Sequence, residues 1–548
     1  MFNNKQKQDM KKVCNILICV IIASVSLVSC DDILNVNSDR LTFEKNYQMQ
    51  SPNDTIYSMV GIYSQLQKLA DNYVLLGELR GDLLDVTENS NQDLRDINNF
   101  EISKTNPYAN IKDYYAVINN CNYVIHNIDT ASIIKGEKVM YRYYVAAKGI
   151  RAWTYMQIAL NFGTAKYYDK PILTLADAQI DYPEYNIEQL AAVLIPDLLP
   201  WKDVKVPSFI GSLMTFPIRF LLGDLYLWTN QYKEAATEYH ELMYENRILI
   251  NKNYQSYWVL NNNIISTTPQ EYWFYSYYYG GSESITAILC PTTYGQKFDL
   301  DSLNYNYEFS PSTIAVNNWD SQTYFNTATN TAPGDLRKMN SVINKNAITS
   351  YSSNSITTTS NTENKVNNIV YKYLLNSQAE NVQIITIYRA SLLYLRYAEA
   401  VNRLGKPNLA FAVLKNGLNQ ITMSPLKKII PVKERSTEPY MIFNDFRFDN
   451  NVGIRSRGCG PNTEKDSTYI IPLKPLLIDS VEYVEDLIQK ELALETAFEG
   501  NRFQDLMRIA IRRGDFSYLA KKIAAKHVGN EAAIETKLMD PINWYIKK

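Results

Sequence analysis

Two stretches of this chain repeat one spacing of large and small residues, and that spacing favours a pair of antiparallel helices. In the first, Leu222, Gly223, Tyr226, Ala235 and Tyr239 mark two amphipathic segments near 215–229 and 231–245. In the second, Tyr397, Ala398, Val401, Ala410 and Leu414 fall at identical offsets across 388–404 and 407–420. Small residues at 223, 235, 398 and 410 let two helices approach closely, while the larger ones fill the space between them.

These offsets are those of a tetratricopeptide hairpin, a scaffold unit that carries no chemistry of its own. Further amphipathic segments near 108–128, 138–162 and 186–198 extend a helical scaffold over 52–249, with Ser51 as N-cap and Pro52 at the first helical position. Residues 250–385 are rich in Asn, Ser, Thr and Tyr, with short strand-like runs, and predict an irregular ligand-binding lobe; its polar tract 349–368 reads as a loop. A hairpin at 386–420, a second irregular excursion at 421–479 and a C-terminal helical block at 480–548 complete the chain. The predicted fold class is mainly α, a tetratricopeptide-like helical-hairpin scaffold with an irregular, loop-rich lobe containing short strands.

The first residues belong to export. Lys5, Lys7, Lys11 and Lys12 precede an apolar run from Ile16 to Val28. That run is shorter than the roughly 20 residues a membrane-spanning helix needs. It ends in Leu-Val-Ser-Cys, so residues 1–29 read as a lipoprotein signal peptide, with Cys30 as the acylated residue and 30–51 as a tether. Beyond Cys30 only Cys121, Cys290 and Cys459 follow, widely spaced, so disulfide stapling is not expected. A net charge of −2 gives no basic field for nucleic acid. Tyr outnumbers Phe by 42 to 18, a bias toward half-wet surfaces.

Catalytic signatures are missing from the sequence. The three His, at 126, 240 and 527, each sit in a helical segment, far from a second His or Cys at metal-ligand spacing. There is no GxSxG, Walker loop or HExxH. Residues 299–308, DLDSLNYNYE, resemble the start of a calcium loop, but Leu303 occupies a ligand position and the glycine is missing. An EF-hand is excluded, and calcium in another geometry stays open. No metal site and no cofactor are predicted. In FEGNRFQDLMR, 498–508, Gly500 is expected to end a helix, with Arg502 and Asp505 bonding locally; in RRGD, 512–515, the glycine is a helix stop.

Four stretches resemble the SusD/RagB family of outer-membrane nutrient-binding lipoproteins. They are YAVINNCNYVIHNI at 115–128, AAKGIRAWTYMQIALNFG at 146–163, YRASLLYLRYAEAVNRLG at 388–405 and ELALETAFEGNRFQDLMR at 491–508. FGTAKYYDKPIL interrupts the family's usual short turn, and Ile509 and Ala510 replace its common Trp-Gly. The resemblance implies a surface-exposed lipid-anchored position on the outer membrane. It also implies partnership with a SusC-like TonB-dependent transporter and an oligosaccharide ligand, with a peptide as the alternative.

The aromatic run EYWFYSYYYGG, 271–281, falls where the family places a strand, and whether it is buried or forms a stacking platform stays open. Loop aromatics are the expected platforms: Tyr294, Tyr305 and Trp319, joined by Tyr73 and Tyr108. Arg80, Asp85, Asn91 and Asp93 in GELRGDLLDVTENSNQDLRD, 77–96, are the expected hydroxyl readers. A binding protein and not an enzyme is expected. A lipid-anchored glycoside hydrolase, needing two carboxylates across a cleft, and a purely structural lid are the other classes.

Overall fold

The computed structural model describes residues 48–204, 212–252, 257–261, 264–268, 283–291, 298–325, 331–352, 355–358, 367–374, 382–435, 438–459 and 461–548. Cys30, Tyr294 and the aromatic run 271–281 lie outside the described residues.

The chain is mainly helical, with short strands that pair, among the described residues, only in twos. Helix α1 (Pro52–Gln67) starts as its sequence predicts: Pro52 sits in the first turn, and the Ser51 N–H donates to the Asp54 carboxylate at 2.9 Å. There follow α2 (Ala70–Glu78), β1 (Leu84–Val86), α3 (Gln92–Asn98), α4 (Ile111–Asn127) and α5 (Tyr141–Phe162). Every residue of α5 from Val145 to Phe162 is buried, so this helix is enclosed on all sides. Helix α6 (Ile187–Leu198) leads to the first hairpin, α7 (Ile218–Trp228) and α8 (Tyr232–Asn246).

In that hairpin the small residue matters. A Cβ on Gly223 would lie 2.3 Å from Cε1 of Tyr239, whose hydroxyl donates to Asp224 at 2.6 Å. Strand β2 (Ser284–Pro291) precedes α9 (Leu300–Tyr305), β3 (Phe309–Pro311) and α10 (Thr313–Asp320). Strand β4 (Val382–Arg389) pairs antiparallel with β2 and runs directly into the second hairpin, α11 (Ala390–Arg403) and α12 (Pro407–Lys415). Ala398 and Ala410 are fully buried, and α8 packs on α11. The C-terminal helices are α13 (Leu477–Glu495), α14 (Arg502–Arg513), α15 (Ser517–Ala524) and α16 (Glu531–Leu538). Phe503, Leu506, Leu519, Ile523, Leu538 and Trp544 form the shared core of α14, α15 and α16.

Buried charge ties the β4–α11 junction to α13. Arg389 meets Glu283 and Glu495 at 3.0 and 2.8 Å and Glu499 at 2.7 Å, and Arg457 meets Glu283 at 2.6 Å. Burial alone would raise Glu495, but Arg389, Arg457 and Arg337 more than offset it and hold its carboxyl well below the usual range.

The FEGNRFQDLMR motif is structural, but its wiring differs from the local bonding expected. Arg502 pairs with Asp82 at 2.6 Å, while Asp505 meets Arg508 and Arg396, both at 2.9 Å. Helix α13 already ends at Glu495, so Gly500 terminates nothing. It sits in the turn beyond with φ +87°, and its carbonyl is so close to α2 that a Cβ on Gly77 would fall 1.9 Å from it. Gly514, at φ +64°, does close α14. His527 lies in the turn after α15, not in a helix. Buried His240 has Nε2 at 2.8 Å from the Ile442 carbonyl, and His126 is exposed on α4. Cys121, Cys290 and Cys459 are buried and form no disulfide.

Candidate functional site

Residues 84–108 and 298–312 meet as two irregular segments stitched by side chains to backbone. A short ladder starts the contact: β1 pairs antiparallel with β3, Asp85 opposite Ser310. Past the ladder, the Thr87 and Ser90 hydroxyls donate to the Tyr307 and Glu308 carbonyls, and the Asn89 amide donates to the Asn306 carbonyl at 3.2 Å. Arg95 donates to the carbonyls of Thr87, Glu88 and Ser90. Carbonyls that a loop cannot pair in a sheet are thereby satisfied, which such a segment requires.

Asn91 is at the centre. Its side-chain oxygen accepts the Leu94 N–H at 3.0 Å, capping α3, and its amide donates to the Glu308 carboxylate at 2.9 Å. Tyr108 is half-buried beside it, on a turn held by Asn106, which accepts the Tyr108 N–H at 3.0 Å and donates to the Asp93 carbonyl at 2.9 Å. Burial, then the nearby Asp299 and Asp71 carboxylates, push the Tyr108 phenol up to about 12, and it stays a neutral O–H. Asp71, at the start of α2, accepts the N–H groups of Asp299 and Leu300 at 2.8 and 3.3 Å, where α9 begins. Burial pushes it up to about 7. Tyr305 is half-buried on α9, with the Lys345 ammonium 5.2 Å from its ring centroid. The arrangement is an open face with a neutral phenol and amide and carboxylate groups around it.

The structure thus brings Asn91 and Tyr108 together, with Tyr305 on the adjoining segment. Asp85 accepts the Asn98 amide at 3.3 Å, and the Asp93 carbonyl holds the Asn106 turn. Three expected residues are corrected. Tyr73 is buried against Trp153, its hydroxyl donating to Asn501 at 3.0 Å. Arg80 is fully buried, and with its bonds to the Leu76 and Trp544 carbonyls it reads no hydroxyl on this face. Trp319 is fully buried, its indole N–H donating to the Leu494 carbonyl at 3.1 Å. Packed rings of this kind cannot offer a face to a ligand. Sequence reasoning missed Asp71, Asp299 and Glu308. The last two lie within DLDSLNYNYE; nothing in the sequence marks Asp71.

Among the described residues no group of three or more His, Cys, Asp or Glu is placed to hold a metal ion. No helix among them is long and apolar enough to cross a membrane.

This mainly helical frame is the fold of solved SusD superfamily proteins. A SusD superfamily protein from Bacteroides vulgatus matches this fold with TM-score 0.58 at 16% identity, over 92% of this chain and 96% of that one. A SusD homolog from Bacteroides thetaiotaomicron does so with TM-score 0.58 at 17% identity, over 89% and 90%. Surface glycan-binding protein A from Bacteroides fluxus is similar at TM-score 0.54 and 14% identity, over 88% and 92%. The SusD family model matches residues 226–543, more than half of the chain, and the chain belongs to that family. No curated protein matches it by sequence.

Proposed function

We propose that this protein binds an oligosaccharide on the face built by Asn91, Tyr108, Tyr305 and Glu308. It then delivers that ligand to a SusC-like TonB-dependent transporter, while lipid on Cys30 holds it at the outer face of the outer membrane. The observation that carries the reading is the half-buried Tyr108 ringed by Asn91, Asp299 and Glu308. An apolar ring face flanked by donors and acceptors is what a sugar presents a need for: C–H groups to stack and hydroxyls to bond. Membership of the SusD family and the likeness to a surface glycan-binding protein support it. The role is binding, not catalysis.

Titration calorimetry of the mature protein against a panel of glycans and peptides tests it. Saturable heat with a glycan, weakened by Tyr108→Ala, is the expected result. Heat with peptides alone moves the ligand to that class, and release of reducing ends from a polysaccharide would make the protein an enzyme. Cys30→Ala should release the protein from the membrane fraction.

A further inference from the structure

Arg80 is charged, fully buried and surrounded by neutral groups. Its Nε donates to the Leu76 carbonyl at 2.7 Å, one terminal nitrogen donates to the Trp544 carbonyl at 3.0 Å, and the other donates to the Asn161 side-chain oxygen. The guanidinium carbon lies 4.3 Å from the centroid of the Phe503 ring. The ionisable groups that act on it are the phenols of Tyr114 and Tyr545. Other interior arginines are treated differently: Arg389, Arg457, Arg502 and Arg508 each meet a carboxylate at 2.6–3.0 Å. Burial pushes Arg80 down to about 9, the direction expected of a cation without a counter-charge. An isolated buried charge is costly to keep unless something of opposite sign compensates it.

A cavity of about 230 Å³ adjoins this charge. Its walls include Arg80, Phe100, Trp544 and Tyr545, and Lys537 and Lys547 stand at its rim. Glu101 also lines it but is engaged by Lys537 at 3.3 Å. Lys537 and Glu101 offset each other, which leaves Lys547 at the rim and the buried Arg80 charge behind the wall. The volume is below the roughly 300–1,000 Å³ of drug-sized sites and suits one small ring, not an oligosaccharide. Tyr545 and Phe100 offer ring surface for its C–H groups.

We infer that this cavity is a second binding site, distinct in its residues from the Asn91–Tyr108 face, and that it takes a small carboxylate-bearing ligand such as a hexuronic acid. The carboxylate sits toward the Arg80 wall, where the buried charge acts on it without direct contact, since each guanidinium nitrogen already donates within the protein, and Lys547 at the rim draws it in.

The test is titration of the whole mature protein with D-glucuronate, D-glucose, acetate and inorganic phosphate at low and high salt, followed by heat and by Trp fluorescence. Glucuronate should bind one-to-one, about tenfold tighter than glucose, the scale of one charged hydrogen bond, and should weaken in salt. Arg80→Gln should abolish the difference. Because Arg80 also braces the fold, Lys547→Glu at the exposed rim serves as the second variant and should weaken glucuronate several-fold while leaving the melting temperature in place. Glucuronate binding no tighter than glucose, or unmoved by Lys547→Glu, overturns the inference. Phosphate or acetate binding as well as glucuronate overturns the sugar-acid class. Tyr108→Ala should leave glucuronate binding unchanged, and its loss there would assign the signal to the first face and overturn the second site. Failure of oligosaccharides to bind at the first face would leave this result standing.

Discussion

Arg502→Met should destabilise the protein by about 3–5 kcal/mol, and adding Asp82→Leu should restore most of that loss. The pair is two-pronged, with Arg502 Nε 2.6 Å from one Asp82 oxygen and the second terminal nitrogen 2.9 Å from the other, and both side chains are at most 6% exposed. Removing the guanidinium strands a carboxylate in the interior, and removing both ions together removes the desolvation cost as well. The double variant should fall within about 1–2 kcal/mol of the wild type, plus roughly 1 kcal/mol for the bond Arg502 makes to the Gln489 carbonyl. Equilibrium unfolding in urea, compared at the transition midpoints, reads these differences. A second arm varies pH. Burial alone would raise Asp82, but Arg502 more than offsets it and holds the carboxyl below 3.8. Its stabilisation is therefore present above 3.8 and lost as pH falls through the lower folded value. In Arg502→Met the same carboxyl titrates high, so acidification from pH 7 to 5 neutralises it and narrows the gap to wild type. Losses that simply add in the double variant, or a gap unchanged by pH, would refute the reasoning.

Three further outcomes follow from the geometry. Gly223→Ala forces a methyl to 2.3 Å from the Tyr239 ring and should cost about 1–3 kcal/mol or more in thermal unfolding, whereas Gly61→Ala, with nothing within 4 Å on α1, should stabilise by roughly 0.5–1 kcal/mol. Asp71 has its folded pKa raised from 3.8 to about 7, so its contribution is greatest below 3.8 and is lost as pH rises toward 7; Asp71→Asn should gain stability relative to wild type across that window, measured by unfolding at pH 4, 6 and 8. Tyr108→Ala should lower oligosaccharide affinity about two- to tenfold by calorimetry while changing stability by no more than about 1 kcal/mol, since the ring is only partly buried.

The parts of this fold that were legible in the sequence are those whose cause is local. The Ser51–Pro52 start, the Gly514 stop and the hairpin faces through Gly223 and Ala398 rest on contacts within a few turns of chain. The Arg502 motif was legible only as structural. Its partner Asp82 lies in the other half of the molecule, and no spacing rule reaches across 420 residues. At the candidate site the same division holds. Asn91 stands in a polar loop and carries its own helix cap, so its exposure was readable. Trp319 was misjudged as a loop aromatic, although Ala315 four residues earlier shares its buried face on α10, a helical signal masked by polar neighbours. Asp71 sits at the start of a buried helix and becomes part of the face only because α9 is brought to it.

Irregular chain has carbonyls with no strand to pair them, and here buried or half-buried cations take that role. Lys526 donates to the Leu79 and Leu84 carbonyls at 2.6 and 2.8 Å, at either end of the link from α2 to β1. Arg95 serves three carbonyls in the next loop, and Lys372 serves those of Glu495 and Ala497. The arrangement is costly for the charge: burial pushes Lys526 down to about 8. In exchange, the loop that carries Asn91 is fixed before any ligand arrives. Ordering a loop on binding subtracts from affinity, so a segment already held by its own backbone bonds keeps more of each contact it makes. An open face on such a segment can therefore bind through a few polar groups and one or two rings, without the deep pocket that a mobile loop would need to compensate.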